Sequence, residues 1–168
     1  MLELRTLPPS ARFAFRCRPE AVEKAEAAFA LALPRAACRA TTAGDRAALW
    51  LGPDEWLLLA PEADASDIAQ RGAALAGVPH SLVDIGHAST GLVIEGPQAT
   101  AVLSHGCPLD LSIAAFPVSM CTRTILGKAQ IVLWRTAEET FRVEMGRSFG
   151  AYVRRFLEEA RREHVAGF

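Results

Sequence analysis

Hydrophobic and polar positions change period repeatedly along the chain. "RFAFRC" (12–17) alternates like a strand and leads into "RPEAVEKAEAAFALALP" (18–34), where Val22, Ala25, Phe29 and Leu33 recur at helical spacing. Pro19 suits a first helical turn, Glu20 and Glu23 favour its positive end, and Pro34 is expected to end the helix. "AALWLG" (47–52) and "EWLLLA" (55–60) flank the turn "GPD", a hairpin signal. "DASDIAQRGAALAG" (64–77) reads as a short helix with Asp64 or Ser66 as its cap and Gly77 as its stop. Strands follow at "SLVDIG" (81–86) and "TGLVIEG" (90–96), then a helix at "PQATAVLSHG" (97–106). "MCTRTIL" (120–126), "AQIVLWR" (129–135) and "TFRVEMG" (140–146) are three more strands. A closing helix starts near Ser148, with Phe149, Val153, Phe156, Leu157 and Ala160 on one face and Arg154, Glu158 and Arg162 on the other.

Two of these patterns recur. "CRPEAVEKA" resembles "EGPQATAVL", an offset of 97 − 19 = 78 residues between Pro19 and Pro97. "ALWLGPDEWLLL" resembles "VLWRTAEETFRV", an offset of 134 − 50 = 84 residues between Trp50 and Trp134. The expected architecture is α+β: one domain over 1–168, with two related halves at about 12–77 and 81–163, each an antiparallel sheet with packed helices.

Composition narrows the function classes. The chain has 168 residues, 51% hydrophobic and 22% charged, with a formal charge of −1. A chain of that length can bury roughly 70% of its unfolded surface. No basic block or stripe supplies the footprint of a nucleic-acid binder. No stretch approaches the roughly 20 apolar residues of a membrane span, and "MLELRTLPPSARFAF" does not read as a signal peptide. Cys17, Cys38, Cys107 and Cys121 are scattered without a CxxC pair, so free thiols and a cytoplasmic location are expected.

"LSHGCPLDL" (103–111) places His105, Cys107 and Asp110 within six residues. A zinc site would need a second ligand pair, from distant residues such as His87 and Cys121. A cysteine nucleophile needs a base and a lowered pKa, yet Cys107 follows a helix C-terminus, where the dipole has the wrong sign. The segment therefore reads as a helix ending, with Gly106 as a left-handed cap and Pro108 preventing continuation. Asp84, His87 and Ser89 in "VDIGHASTGLVI" suggest a triad, but triad residues meet in space, and the nucleophile elbow requires Gly where His87 stands. They read as a polar turn. Neither GxGxxG nor GxxxxGK[ST] is present, and the three tryptophans are expected in the core. Arg123, between two threonines in a strand, is a candidate for an interface or an anionic pocket. No catalytic, cofactor or metal residue is assigned. His105, Cys107, Asp110 and Arg123 are kept as candidate interface residues.

"LGPDEWLLLAP", "GCPLDL", "TRTILGKA" and "RSFGAYV" occur in the order found in the gamma subunit of heterotetrameric sarcosine oxidase, and the chain resembles that family from about Leu49 to Ala160. The family is in turn similar in fold to the folate-binding aminomethyltransferase of glycine cleavage. The resemblance implies an accessory, non-catalytic subunit of a complex that oxidatively demethylates sarcosine to glycine and produces hydrogen peroxide. The implied partners are large flavin-bearing alpha and beta subunits and a small delta subunit, which would hold FAD, FMN, NAD and zinc, with no cofactor in this chain. Self-association of the isolated chain is a further expectation. The alternative is a stand-alone folate-dependent one-carbon transferase or folate-binding protein. Against it, the aminomethyltransferase carries a functional aspartate after a glycine in the strand matching "LGKAQIVLW", where this chain has Lys128, Ala129 and Gln130 after Gly127.

Overall fold

The computed structural model describes residues 1–166. The chain forms two compact units: Pro9–His87, and Met1–Pro8 together with the chain from Ala88 onward. The strand Glu3–Thr6 (β1) belongs to the later unit. The earlier unit runs Ser10–Cys17 (β2), a turn of 3-10 helix, Val22–Phe29 (α1), Ala40–Ala43 (β3), Arg46–Gly52 (β4), Glu55–Pro61 (β5), Ala65–Ala73 (α2) and His80–Asp84 (β6). Its antiparallel sheet has the order β3-β4-β5-β2-β6. Phe13, Phe15, Trp56 and Leu58 point from this sheet to Phe29 of α1 and Ile68 of α2. The Phe15 and Phe29 rings meet edge-on at 5.1 Å, and each such burial is worth about 2 kcal/mol.

The later unit continues with Ser89–Glu95 (β7), Ala99–Ser104 (α3), Cys121–Leu126 (β8), Ala129–Ala137 (β9), Thr140–Gly146 (β10) and Gly150–Ala166 (α4). Its antiparallel sheet has the order β1-β7-β10-β9-β8. The core joins Ile94, Leu133, Phe141 and Val143 of the sheet to Val102 and Leu103 of α3 and Val153 and Leu157 of α4. Each unit thus has a strand, a helix, a three-strand meander whose last strand pairs with the first, and a second helix. They differ in the strand on the far edge: β6 follows the helix in the earlier unit, whereas β1 comes from the chain's start in the later one.

The α+β architecture with two antiparallel sheets is as expected, and several details differ. β6, expected in the second half, lies in the earlier unit's sheet, so the division falls at 87/88. A short alternating strand carries no mark of which neighbour it will join. α1 stops at Phe29 rather than Pro34, because Ala30 turns left-handed at φ 51° and the Glu26 carboxylate accepts the Leu33 N–H at 2.8 Å. Leu33 is still buried, reached from the loop. Gly106 is not a left-handed cap: it is absent from the positive-φ residues, and its small size serves a close approach instead. A Cβ there would lie 2.7 Å from the Phe156 ring and 2.8 Å from the Gly127 backbone nitrogen. Phe149, expected on the buried face of the closing helix, is 41% exposed.

Candidate functional site

The "HGCPLDL" segment connects α3 to β8 through a long loop, and Arg135 of β9 holds that loop. Ala129, Ile131, Leu133 and Arg135 share the core face of β9, so the guanidinium enters the protein and is only 4% exposed. Nη1 donates to the Leu111 carbonyl at 3.1 Å and the Phe116 carbonyl at 2.8 Å. Nε donates to the Glu138 carbonyl at 3.0 Å, and Nη2 to the same oxygen. The charge also lies 4.7 Å above the Phe141 ring. Burial pushes the Arg135 pKa below the ordinary guanidinium value, and the Glu138 charge opposes that shift. The loop closes onto β9 by Ser119 N–H to Arg135 O and Arg135 N–H to Met120 O, at 2.8 and 2.9 Å.

Each candidate residue of this region finds a separate setting. His105, half out in solvent, has Nδ1 3.6 Å from Glu163 Oε2 and its ring 5.2 Å from that of His164. Cys107 is buried, with Sγ 3.9 Å from Thr124 Oγ1, a hydroxyl and not a base. Asp110 is exposed and turns back on its own loop, where Oδ1 accepts the Ser112 N–H at 2.8 Å. That backbone hydrogen bond holds the carboxyl below its ordinary value. Arg123 is exposed on β8, an edge strand of the sheet.

The polar turn before β7 has the same local character, with Asp84 Oδ1 accepting the Gly86 N–H at 2.8 Å. Cys121 is fully buried and His87 exposed. Among the described residues no group of three His, Cys, Asp or Glu could hold a metal ion. Of the tryptophans, Trp56 is in the core and donates Nε1–H to Pro34 O at 2.8 Å, while Trp50 is half-buried. Trp134 is buried, and its Nε1 has no hydrogen-bond partner among the described residues. Sequence reasoning missed Arg135, although its place after Ala129, Ile131 and Leu133 at strand spacing put it on the core face.

The loop held by Arg135 displays apolar side chains outward. Ile113 is 49% and Val118 42% exposed, and Ile125 on β8 is 46% exposed. Tyr152 of α4 is also exposed and accepts the Lys128 N–H at 3.1 Å through its hydroxyl.

The family description "Sarcosine oxidase, gamma subunit family" matches residues 16–163. The chain belongs to that family. Its match begins well before Leu49, where the quoted phrases start. A relative from Corynebacterium sp. (strain P-1), "Sarcosine oxidase subunit gamma", is 38% identical over 120 residues, covering 71% of this chain and 59% of the relative. The chain thus spans less than two thirds of that relative's length. One from Corynebacterium sp. (strain U-96) is 34% identical over 166 residues, covering 97% of this chain and 80% of the relative. Among solved structures, a chain of the heterotetrameric sarcosine oxidase from Corynebacterium sp. U-96, in complex with pyrrole 2-carboxylate, matches with a TM-score of 0.90 at 31% identity. That match covers 96% of this chain and 84% of the other. The glycine cleavage aminomethyltransferase T from Bartonella henselae matches with a TM-score of 0.71 at 17% identity, over 93% of this chain and 45% of that one. It shares the fold, as the sequence resemblance implied. No helix among the described residues is long and apolar enough to cross a membrane.

Proposed function

We propose that this chain is the accessory gamma subunit of a heterotetrameric sarcosine oxidase, which oxidatively demethylates sarcosine to glycine with production of hydrogen peroxide. The observation that carries the reading is the match to a chain of such a heterotetramer, at a TM-score of 0.90 over 96% of the residues. The partners are large alpha and beta subunits and a small delta subunit, with FAD, FMN, NAD and zinc held by those partners. This chain serves as a packing element, and the side chains of Ile113, Val118 and Ile125 supply apolar contact area for it. The complex works in the cytoplasm, a reducing compartment in which cysteines stay as thiols.

The residues do not favour independent folate chemistry. After the turn at Gly127, Lys128 and Gln130 are exposed and Ala129 is buried, so these positions present a cation, an amide and a methyl group. None offers the charged acceptor that a carboxylate would give a pterin or a developing iminium.

The test is a pull-down of the tagged chain from its native cells grown on sarcosine, with an absorbance spectrum and a peroxide assay on the eluate. Co-eluting large subunits, a flavin band and sarcosine-dependent peroxide are the expected result. A lone, colourless protein would overturn the reading, and saturable micromolar binding of tetrahydrofolate to that protein would put the transferase in its place.

A further inference from the structure

A cleft in the later unit takes no part in anything described above. It lies where β1, β7 and β10 meet the first turn of α4, encloses about 270 Å3, and is lined by Thr6, Thr90, Leu92, Met145, Arg147 and Arg154. Leu92 and Met145, both buried, give it apolar lining. Its polar side chains are two hydroxyls and two guanidinium groups, and no carboxylate of the described residues lines it.

The two arginines are differently committed. Arg154 is oriented, with Nε donating to Glu158 Oε1 at 2.9 Å and Nη1 to Thr6 Oγ1 at 3.2 Å. Arg147 is exposed and makes no hydrogen bond or ion pair with the described residues. Two cations therefore share one cleft, with a single carboxylate outside it answering one of them. An anion entering between them would gain from both charges. A planar carboxylate matches the guanidinium fork with two parallel N–H···O bonds. The apolar lining accommodates a short hydrocarbon body behind the charged head, and the volume suits a small molecule.

We propose that this cleft binds a carboxylate group, with Arg147 as the principal donor and Arg154 and the threonine hydroxyls as supports. The carboxylate has two possible sources: a free small organic acid, or an acidic side chain of a partner subunit.

The test titrates the full-length chain with acetate at constant ionic strength, following the arginine Nε–H resonances by NMR. Saturable shifts at Arg147 and Arg154 are expected. Arg147→Gln should weaken acetate binding by about five-fold, as for loss of one partly exposed ion pair. Arg155→Gln, which removes an exposed helix charge outside the cleft, should leave binding unchanged. Absence of saturation, or equal weakening in both variants, would overturn the proposal, the latter because it would reduce the effect to general surface charge. Repeating the titration on the assembled complex separates the sources. Retained acetate binding identifies a free acid. Excluded acetate, together with weaker retention of the Arg147→Gln chain in the complex, identifies a partner's carboxylate. The titration of the isolated chain stands or falls whatever the chain assembles with.

Discussion

Arg135→Met is the substitution that most directly tests how the outward-facing loop is held. The methionine side chain can fill much of the space of the arginine stem but donates no hydrogen bond. The Leu111 and Phe116 carbonyls, in residues 2% and 1% exposed, would then lose their Arg135 donor inside the protein. Orphaning a buried acceptor costs about 1–3 kcal/mol. The Glu138 carbonyl is only partly buried, so water can replace the guanidinium there and little is lost. Losing the cation over the Phe141 ring adds roughly 1 kcal/mol, while relief of the buried charge returns a similar amount. The net expectation is a destabilisation of about 3 kcal/mol, dominated by the two carbonyls. With a urea slope of about 1.5 kcal/mol/M for a unit of this size, the midpoint falls by about 2 M. Tryptophan fluorescence in a urea titration of the full chain reads this, and hydrogen exchange should show faster opening of the Ser119 amide. Arg135→Lys keeps a charge but loses the planar fork, so its midpoint should lie between those of the other two proteins. A shift for Arg135→Met below about 0.5 M would refute the argument, since such a value is typical of an uninvolved surface residue.

Four further outcomes follow from the same geometry. Glu26 is held below the ordinary carboxylate range first by the Arg35 hydrogen bond and then by the Leu33 N–H, against burial. Its folded pKa is depressed, so its stabilisation is complete above the unfolded value and is lost as pH falls below about 4; the acid slope of stability should flatten in Glu26→Gln. In native protein an aromatic disulfide reagent should react first with half-exposed Cys38, while Cys17, whose thiol is pushed up by burial and by the Asp54 and Glu20 charges, stays slow until unfolding. Gly106→Ala should cost roughly 1–3 kcal/mol in a denaturation curve, and adding Phe156→Ala should not restore it, because the Gly127 backbone still obstructs the new methyl. Deleting residues 1–8 removes β1 and buried Leu2 from the later unit; proteolysis should then open that unit before the earlier one, with Leu2 alone worth about 2 kcal/mol.

What could be read from the sequence was whatever left a periodic trace. The strands of both meanders other than β3 alternate or run apolar because at least one of their faces is buried, and α1 and α3 follow a proline at the first turn. β1 and β3 left no such trace: each has four residues, sits on a sheet edge and buries none of them fully. The end of α1 escaped for a different reason. Leu33 continues the helical spacing of Val22, Ala25 and Phe29, yet reaches the core from a loop, because the Glu26 carboxylate and a left-handed Ala30 turn the chain aside. Periodicity records that a residue is buried and not the path by which the backbone delivers it. The site shows the same limit in chemical terms. His105, Cys107 and Asp110 attracted notice by residue type, but each has a separate neighbour, Glu163, Thr124 and Ser112 in turn, and the three do not meet. The residue that organises their segment is Arg135, whose acceptors are backbone carbonyls. Carbonyls have no signature in a sequence, so only the charge at a core-facing strand position could have given it away. A buried cation hydrogen-bonded to no carboxylate needs other acceptors, and here main-chain oxygens supply them, tying down the loop bearing Ile113 and Val118.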